Sequence, residues 1–207
     1  MGYGRTTLSG AQPAAASPNR FLIVGQGVMK NAAYTLTATL AQPEANTARL
    51  LTLTHVQVGG VTDALGTVTI VGKSLSGQTI TEVITPSTGA LVTGTKWFAS
   101  VESATGAGWT RDAGAGSEDT IVIGCAADAI IAEGSGVLHG IQVNTTANGT
   151  ITVSDAGGTI AVLPVNVAVG TFYQWDVNWS GYLRVVMAGA SNITVMHSGS
   201  MPSSYSM

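Results

Sequence analysis

Charge is the scarcest ingredient of this sequence. Asp, Glu, Lys and Arg together make up 9% of its 207 residues, against roughly a quarter in ordinary soluble domains. The surface must therefore be finished with Thr, Ser, Asn, Gln and Gly, which hydrate well but repel one another weakly. Such a surface suits a chain that works packed in an assembly. The Lys and Arg residues are scattered singly and the formal net charge is −3. That leaves no electrostatic footprint for nucleic acid, and none is expected as a partner. A single cysteine, Cys125, excludes an intramolecular disulfide framework. Inside Ile121-Val122-Ile123-Gly124-Cys125 its thiol reads as a small buried hydrophobe. No apolar run reaches the roughly eighteen residues of a membrane-spanning helix, and the N-terminus lacks the charged, apolar, small-residue order of a secretory signal. The expectation is synthesis in the cytoplasm, with no membrane partner and no dependence on oxidation.

What the chain has in abundance is Thr alternating with Val, Ile and Leu. The pattern is clearest from Ala48 to Gly108. Thr67-Val68-Thr69-Ile70 and Thr79-Ile80-Thr81 each place apolar side chains on one face and hydroxyls on the other, as half-buried strands require. The link Lys73–Gln78 carries a glycine near its end, as a hairpin needs. Thr85-Pro86-Ser87-Thr88-Gly89 is a turn, since proline removes a donor and glycine permits positive φ. Further strands are expected over Phe21–Val24, Tyr34–Leu40, Leu50–Val58, Lys96–Val101 and Asp119–Gly124. No helical stripe of useful length is present. The fold class is all-β, with two small antiparallel sandwich- or barrel-like domains and an extended N-terminal arm.

The domain organisation follows from composition. Residues 1–20 are expected to be a flexible arm, because Gly, Ala, Ser, Thr and Pro offer too little apolar surface to offset the entropy of ordering. Residues 21–128 form the first domain. The small, weakly patterned Ala126–Ser135 marks the boundary, with a helical turn or two expected over Ala126–Glu133. Residues 129–198 form the second domain, with strands at Val137–Val143, Thr150–Ser154, Thr159–Leu163, Thr171–Trp179, Tyr182–Met187 and Asn192–His197. Turns are expected at Asn148-Gly149, Gly157-Gly158, Ser180-Gly181 and Gly189-Ala190-Ser191. Tyr173, Trp175, Val177 and Trp179 share an inward face, and Gln174, Asp176 and Asn178 the outward one. Residues 199–207 are a polar tail.

No chemistry-bearing motif stands out. His55, His139 and His197 keep step with apolar neighbours (Leu51/Leu53, Ile141/Val143 and Ile193/Val195), which is the pattern of structural histidines. No HxH, HExxH or CxxC occurs, so no metal is expected. Gly134-Ser135-Gly136 lacks the outer glycines of a nucleophile elbow, and Gly25-Gln26-Gly27 lacks the helix of a phosphate loop. Glu118 and Asp119 are neighbours that point to opposite faces. The reading is that of a non-enzyme with no catalytic residues and no cofactor. Trp109, in an irregular Gly-rich segment beside Arg111 and Asp112, is the one tryptophan expected at the surface. It keeps open a carbohydrate-binding alternative.

Two stretches resemble a known class. GTVTIVGKSLSGQTITEVITP (Gly66–Pro86), GTKWFASVESATGAGW (Gly94–Trp109) and DTIVIG (Asp119–Gly124) resemble a module common in structural proteins of tailed bacteriophages. GVLHGIQVNT (Gly136–Thr145), GTITVSDAGGT (Gly149–Thr159) and ITV (Ile193–Val195) resemble a second such module. The resemblance implies a β-sandwich protein of the virion, most directly a head decoration or cement protein. It would be a trimer, bound to the major capsid protein on the capsid surface and stabilising the head. A tail, neck or head-fibre protein is the alternative within the same class. On this reading Arg5, Leu8, Arg20 and Phe21 of the arm, and Trp109, Arg111 and Asp112 of the long loop, are the candidate capsid contacts.

Overall fold

Alternating Thr and Val or Ile builds strands whose inward faces meet in a sandwich. The computed structural model describes residues 4–12, 17–22, 28–37, 47–58, 63–111 and 118–199. Among them there is no helix. The chain divides into two compact units, Ala15–Asp128 and Met1–Ala14 with Ala129–Met207.

The first unit, Ala15–Asp128, holds strands β2 (Ser17–Leu22), β3 (Ala48–Val56), β4 (Thr67–Lys73), β5 (Thr79–Ile84), β6 (Leu91–Phe98) and β7 (Ser100–Ala107), and most of β8 (Thr120–Ile130). One sheet has the order β2-β8-β3-β6 and the other β5-β4-β7. Leu51, Leu53, Phe98, Ile121 and Ile123 from the first sheet share one core with Val68, Ile70, Ile84, Val101 and Ala104 from the second. In β4 every second side chain is buried, as the sequence period requires. β4 and β5 form an antiparallel hairpin closed by Gly77 at φ 78° and a Gly77 N–H donating to the Ser74 carbonyl. The expected strand Lys96–Val101 is divided: the chain leaves one sheet at Phe98 and enters the other at Ser100. Tyr34–Thr37 is not a strand. Tyr34 is buried and its backbone N–H donates to the Ala104 carbonyl, so its apolar side chain docks from a loop. The remainder of that expected strand lies outside the described residues.

The second unit comprises β1 (Gly4–Gln12), β9 (Ala132–Thr145), β10 (Ile151–Asp155), β11 (Gly158–Leu163) and β12 (Phe172–Gly199). The residues expected as a free arm are instead a strand: β1 pairs antiparallel with β12 from Gly4↔His197 to Gly10↔Ser191. Thr6 and Leu8 alternate inward, and backbone pairing along an open strand edge offsets an ordering cost that composition alone overstates. The expected turns at Ser180-Gly181 and at Gly189–Ser191 do not form, and three expected strands are one 28-residue element. β12 follows one edge of β9 over Phe172–Leu183, moves to β10 over Arg184–Met187, and returns to the other edge of β9 over Asn192–Gly199. Gly136 of β9 thus faces both Trp179 and Gly199 of the same strand. No helical turn occupies Ala126–Glu133. β8 continues to Ile130 and β9 begins at Ala132; Ile130 at the end of β8 and Ile131 in the bend between them both bury their side chains. The core is built from Leu138, Ile141, Val143, Ile151, Val153, Trp179, Leu183, Val185, Ile193 and Val195.

Candidate functional site

The first unit carries a buried polar network around Asp119. Asp119, fully buried just before β8, accepts from the Val58 N–H (2.7 Å), the Asp63 N–H (2.9 Å) and His55 Nε2 (2.9 Å). Its own N–H donates to Asp63 Oδ2 at 2.8 Å. The Gly89 N–H donates to His55 Nδ1 at 3.1 Å, so the ring's proton sits on Nε2 and points at the carboxylate. Burial pushes the Asp119 carboxyl up, but the two amides and His55 outweigh it and hold the group below the usual carboxylate range. The network ties Val58, Asp63 and the β5–β6 turn to the start of β8. Every donor in it is committed, so its role is structural.

The second unit gathers polar groups on its outward face, around His139. Gly136 and Gly140 bracket this residue on β9. A Cβ on Gly136 would overlap the Ser198 carbonyl, and one on Gly140 the Tyr173 carbonyl. The two glycines therefore let β12 close on β9 from both edges. Register shifts occur on each side at His139. Between Gln174 and Val177 two residues of β12 stand opposite it, and between Met196 and His197 none does. Bulges of this kind re-aim side chains. Here the outcome is that His139 leaves the inward phase of Ile141 and Val143 and turns outward, a quarter exposed. Asp176 takes a left-handed backbone, φ 52°, unusual for a residue with a side chain.

The geometry is specific. His139 Nδ1 lies 2.8 Å from Asp176 Oδ1, and Gln174 Nε2 donates to Asp176 Oδ2 at 2.7 Å. A carboxylate only accepts, so in the neutral ring Nδ1 carries the proton and Nε2 the lone pair. Ser198 Oγ lies 3.3 Å from that Nε2. The hydrogen bond from Gln174, then that from His139, holds the Asp176 carboxyl below its ordinary range. His197, on the inward side, bonds Thr6 through Nε2 at 3.2 Å. Burial, then the nearby His139, pushes its pKa below the usual imidazole range. Two depressions border the cluster. One, of about 390 Å³, is lined by Gly136, Asn178, Ser198 and Gly199 among others. The other, of about 350 Å³, is lined by Arg5, His139, Phe172, Gln174, Asp176 and Met196.

The candidate contact residues are dispersed. Arg5 is exposed on β1 beside His139. Leu8 and Phe21 are buried in the cores of their respective units and offer no surface. Arg20 is half-buried on β2. Trp109 is 6% exposed rather than at the surface. Asn31 receives its backbone N–H at 2.8 Å and donates to its carbonyl at 3.0 Å, which folds the indole inward. The Trp109 indole is therefore not a stacking platform at the surface. Arg111 is exposed and pairs with Glu118 at 3.1 Å, while Asp112 lies outside the described residues. Strict alternation places His139 inward, so its pairing with Asp176 and Ser198 is not legible in the strand pattern. The signal that bears on it is the pair of glycines in Gly136-Val137-Leu138-His139-Gly140.

Among the described residues no group of three or more His, Cys, Asp or Glu side chains is placed to hold a metal ion. No protein-family model, curated protein or solved structure matches the chain.

Proposed function

We propose that this chain is a structural protein of a tailed-bacteriophage virion. It sits on the outside of the head as a trimeric decoration protein and binds the major capsid protein. The phage-like cadence of its β modules suggests the class, and the observation that carries the reading is where apolar side chains are left in water. Val162 is 57% exposed on β11, the terminal strand of its sheet, and Val165 and Val169 follow it at 52% and 62%. The loop that presents them is rigidly held: Asn166 N–H donates to the Ala147 carbonyl and Gly170 N–H to the Val143 carbonyl, with Val167 buried between. In the first unit Val83 on β5 and Leu91 on β6 are 60% and 51% exposed, again on terminal strands. Unpaired strand edges carrying apolar side chains are the natural means of adding a neighbouring chain. Weak contacts of this kind, repeated over a lattice, add up to firm attachment. The low-charge surface suits close packing.

The test is co-sedimentation of the purified protein with expanded shells of the major capsid protein. The wild type is expected to bind to saturation, and Val162→Lys with Val169→Lys to lose binding while remaining folded. A wild type that stays in the supernatant at all concentrations overturns the proposal. Light scattering of the free protein checks the trimer.

A further inference from the structure

We infer that the outward face of the second unit is a serine acyl-transfer site for small carboxylic esters, with Ser198 as nucleophile, His139 as base and Asp176 as the residue that positions the base. The inference is independent of the virion reading.

Four observations converge on it. The three side chains form a continuous chain, Asp176 Oδ1 to His139 Nδ1 at 2.8 Å and His139 Nε2 to Ser198 Oγ at 3.3 Å. The carboxylate fixes the tautomer that puts the lone pair on Nε2, the nitrogen 3.3 Å from Ser198 Oγ. The backbone departs from regular strand at this place, through two register shifts facing one histidine and a left-handed Asp176. Gln174 anchors the second carboxylate oxygen at 2.7 Å, so Asp176 is itself oriented. Ser198, 8% exposed, lines one depression, and His139 lines the other. The depression lined by His139 is also lined by Phe172 and Met196, with Arg5, Gln174 and Asp176, and the two apolar side chains suit a short acyl chain. The depression beside Ser198 holds Asn178, a side-chain amide able to donate to a developing oxyanion.

In the reaction Ser198 Oγ attacks the ester carbonyl carbon and its proton passes to His139 Nε2. The carbon–oxygen bond to the alcohol breaks, and the alkoxide leaves with that proton as a neutral alcohol. The product is an acyl ester on Ser198. Water then attacks the same carbon, giving its proton to His139. The Ser198 oxygen departs, recovers the proton, and a carboxylic acid is released.

The purified full chain is treated with a fluorophosphonate and, separately, with 4-nitrophenyl butyrate. Peptide mapping is expected to find the phosphonyl group on Ser198, and ester turnover is expected to exceed that of the heat-unfolded protein. Ser198→Ala, with an unchanged β-type circular dichroism spectrum, is expected to abolish both. Asp176→Asn is expected to lower kcat at least tenfold with KM within about twofold, the split expected of a positioning residue. A folded wild type that takes up no label, label on another residue, or turnover that survives Ser198→Ala overturns the inference. Because no shells are present, these outcomes are separable from failure of the capsid proposal.

Discussion

Replacing Asp119 with Asn probes a fully buried side chain of the first unit that accepts three hydrogen bonds. The amide is isosteric, so packing is preserved and only hydrogen bonding changes. With its oxygen in the Oδ2 position it still accepts from Asp63 and His55. Its NH2 group then faces the Val58 N–H across the 2.7 Å now spanned by a hydrogen bond. The reverse orientation sets the NH2 against two donors. His55 cannot relieve the conflict by changing tautomer, since Nδ1 already accepts from Gly89. One amide is left unsatisfied, at about 1–3 kcal/mol, and two charge-assisted bonds become neutral ones of roughly half the strength. The expected loss is about 2–4 kcal/mol, a large share of the roughly 5–15 kcal/mol that holds a domain together. Urea unfolding followed by tryptophan fluorescence, with amide exchange to localise the change, is the assay. The midpoint of the first unit should fall with little change in slope, while amides of the second unit keep their protection. An Asn variant within about 0.5 kcal/mol of wild type refutes the reasoning.

The same group sets an acid limit. A carboxyl whose folded pKa lies below its unfolded value contributes fully above about pH 3.9 and loses that contribution as pH falls through the lowered folded value. Stability of the first unit measured between pH 7 and 2 should therefore decline below about pH 4, and the Asp119→Asn variant should lack that part of the decline. Gly136→Ala addresses the second unit. The added methyl overlaps the Ser198 carbonyl and should force β9 and β12 apart at a cost of about 1–3 kcal/mol. Faster amide exchange around Leu138 and Trp179 would register it, and an unchanged exchange pattern would show that the strands are not held so close.

Periodicity made most of this fold legible. Thr67–Ile70 and Thr79–Thr81 declared their strands and their hairpin because alternation and turn glycine agree there. In the strand around Trp175 the inward and outward sets are as the pattern has them, with Trp179 buried and Asp176 exposed. What escaped the pattern was anything decided by a non-local partner. Gly181, at φ 76°, reads as a turn but lies inside a continuous strand, where it pairs with Gly134, itself at positive φ. Residues 4–12 read as an arm because the edge of β12 that orders them lies almost two hundred residues away in sequence. His139 illustrates the same point at the scale of one side chain. It keeps step with Ile141 and Val143, yet a bulge reverses its face, and a bulge is a property of strand pairing that no single strand announces. Trp109 likewise sits in a loop that composition marks as exposed, while Asn31 turns it inward.

The copy number of this chain in purified virions, relative to the major capsid protein, tests the central claim most directly. Quantitative mass spectrometry of intact particles is expected to find it in numbers comparable to the shell protein, as a lattice-wide decoration requires. A count of about six or twelve per particle, the number a portal, neck or tail ring would hold, or its absence from the particle, would contradict the account.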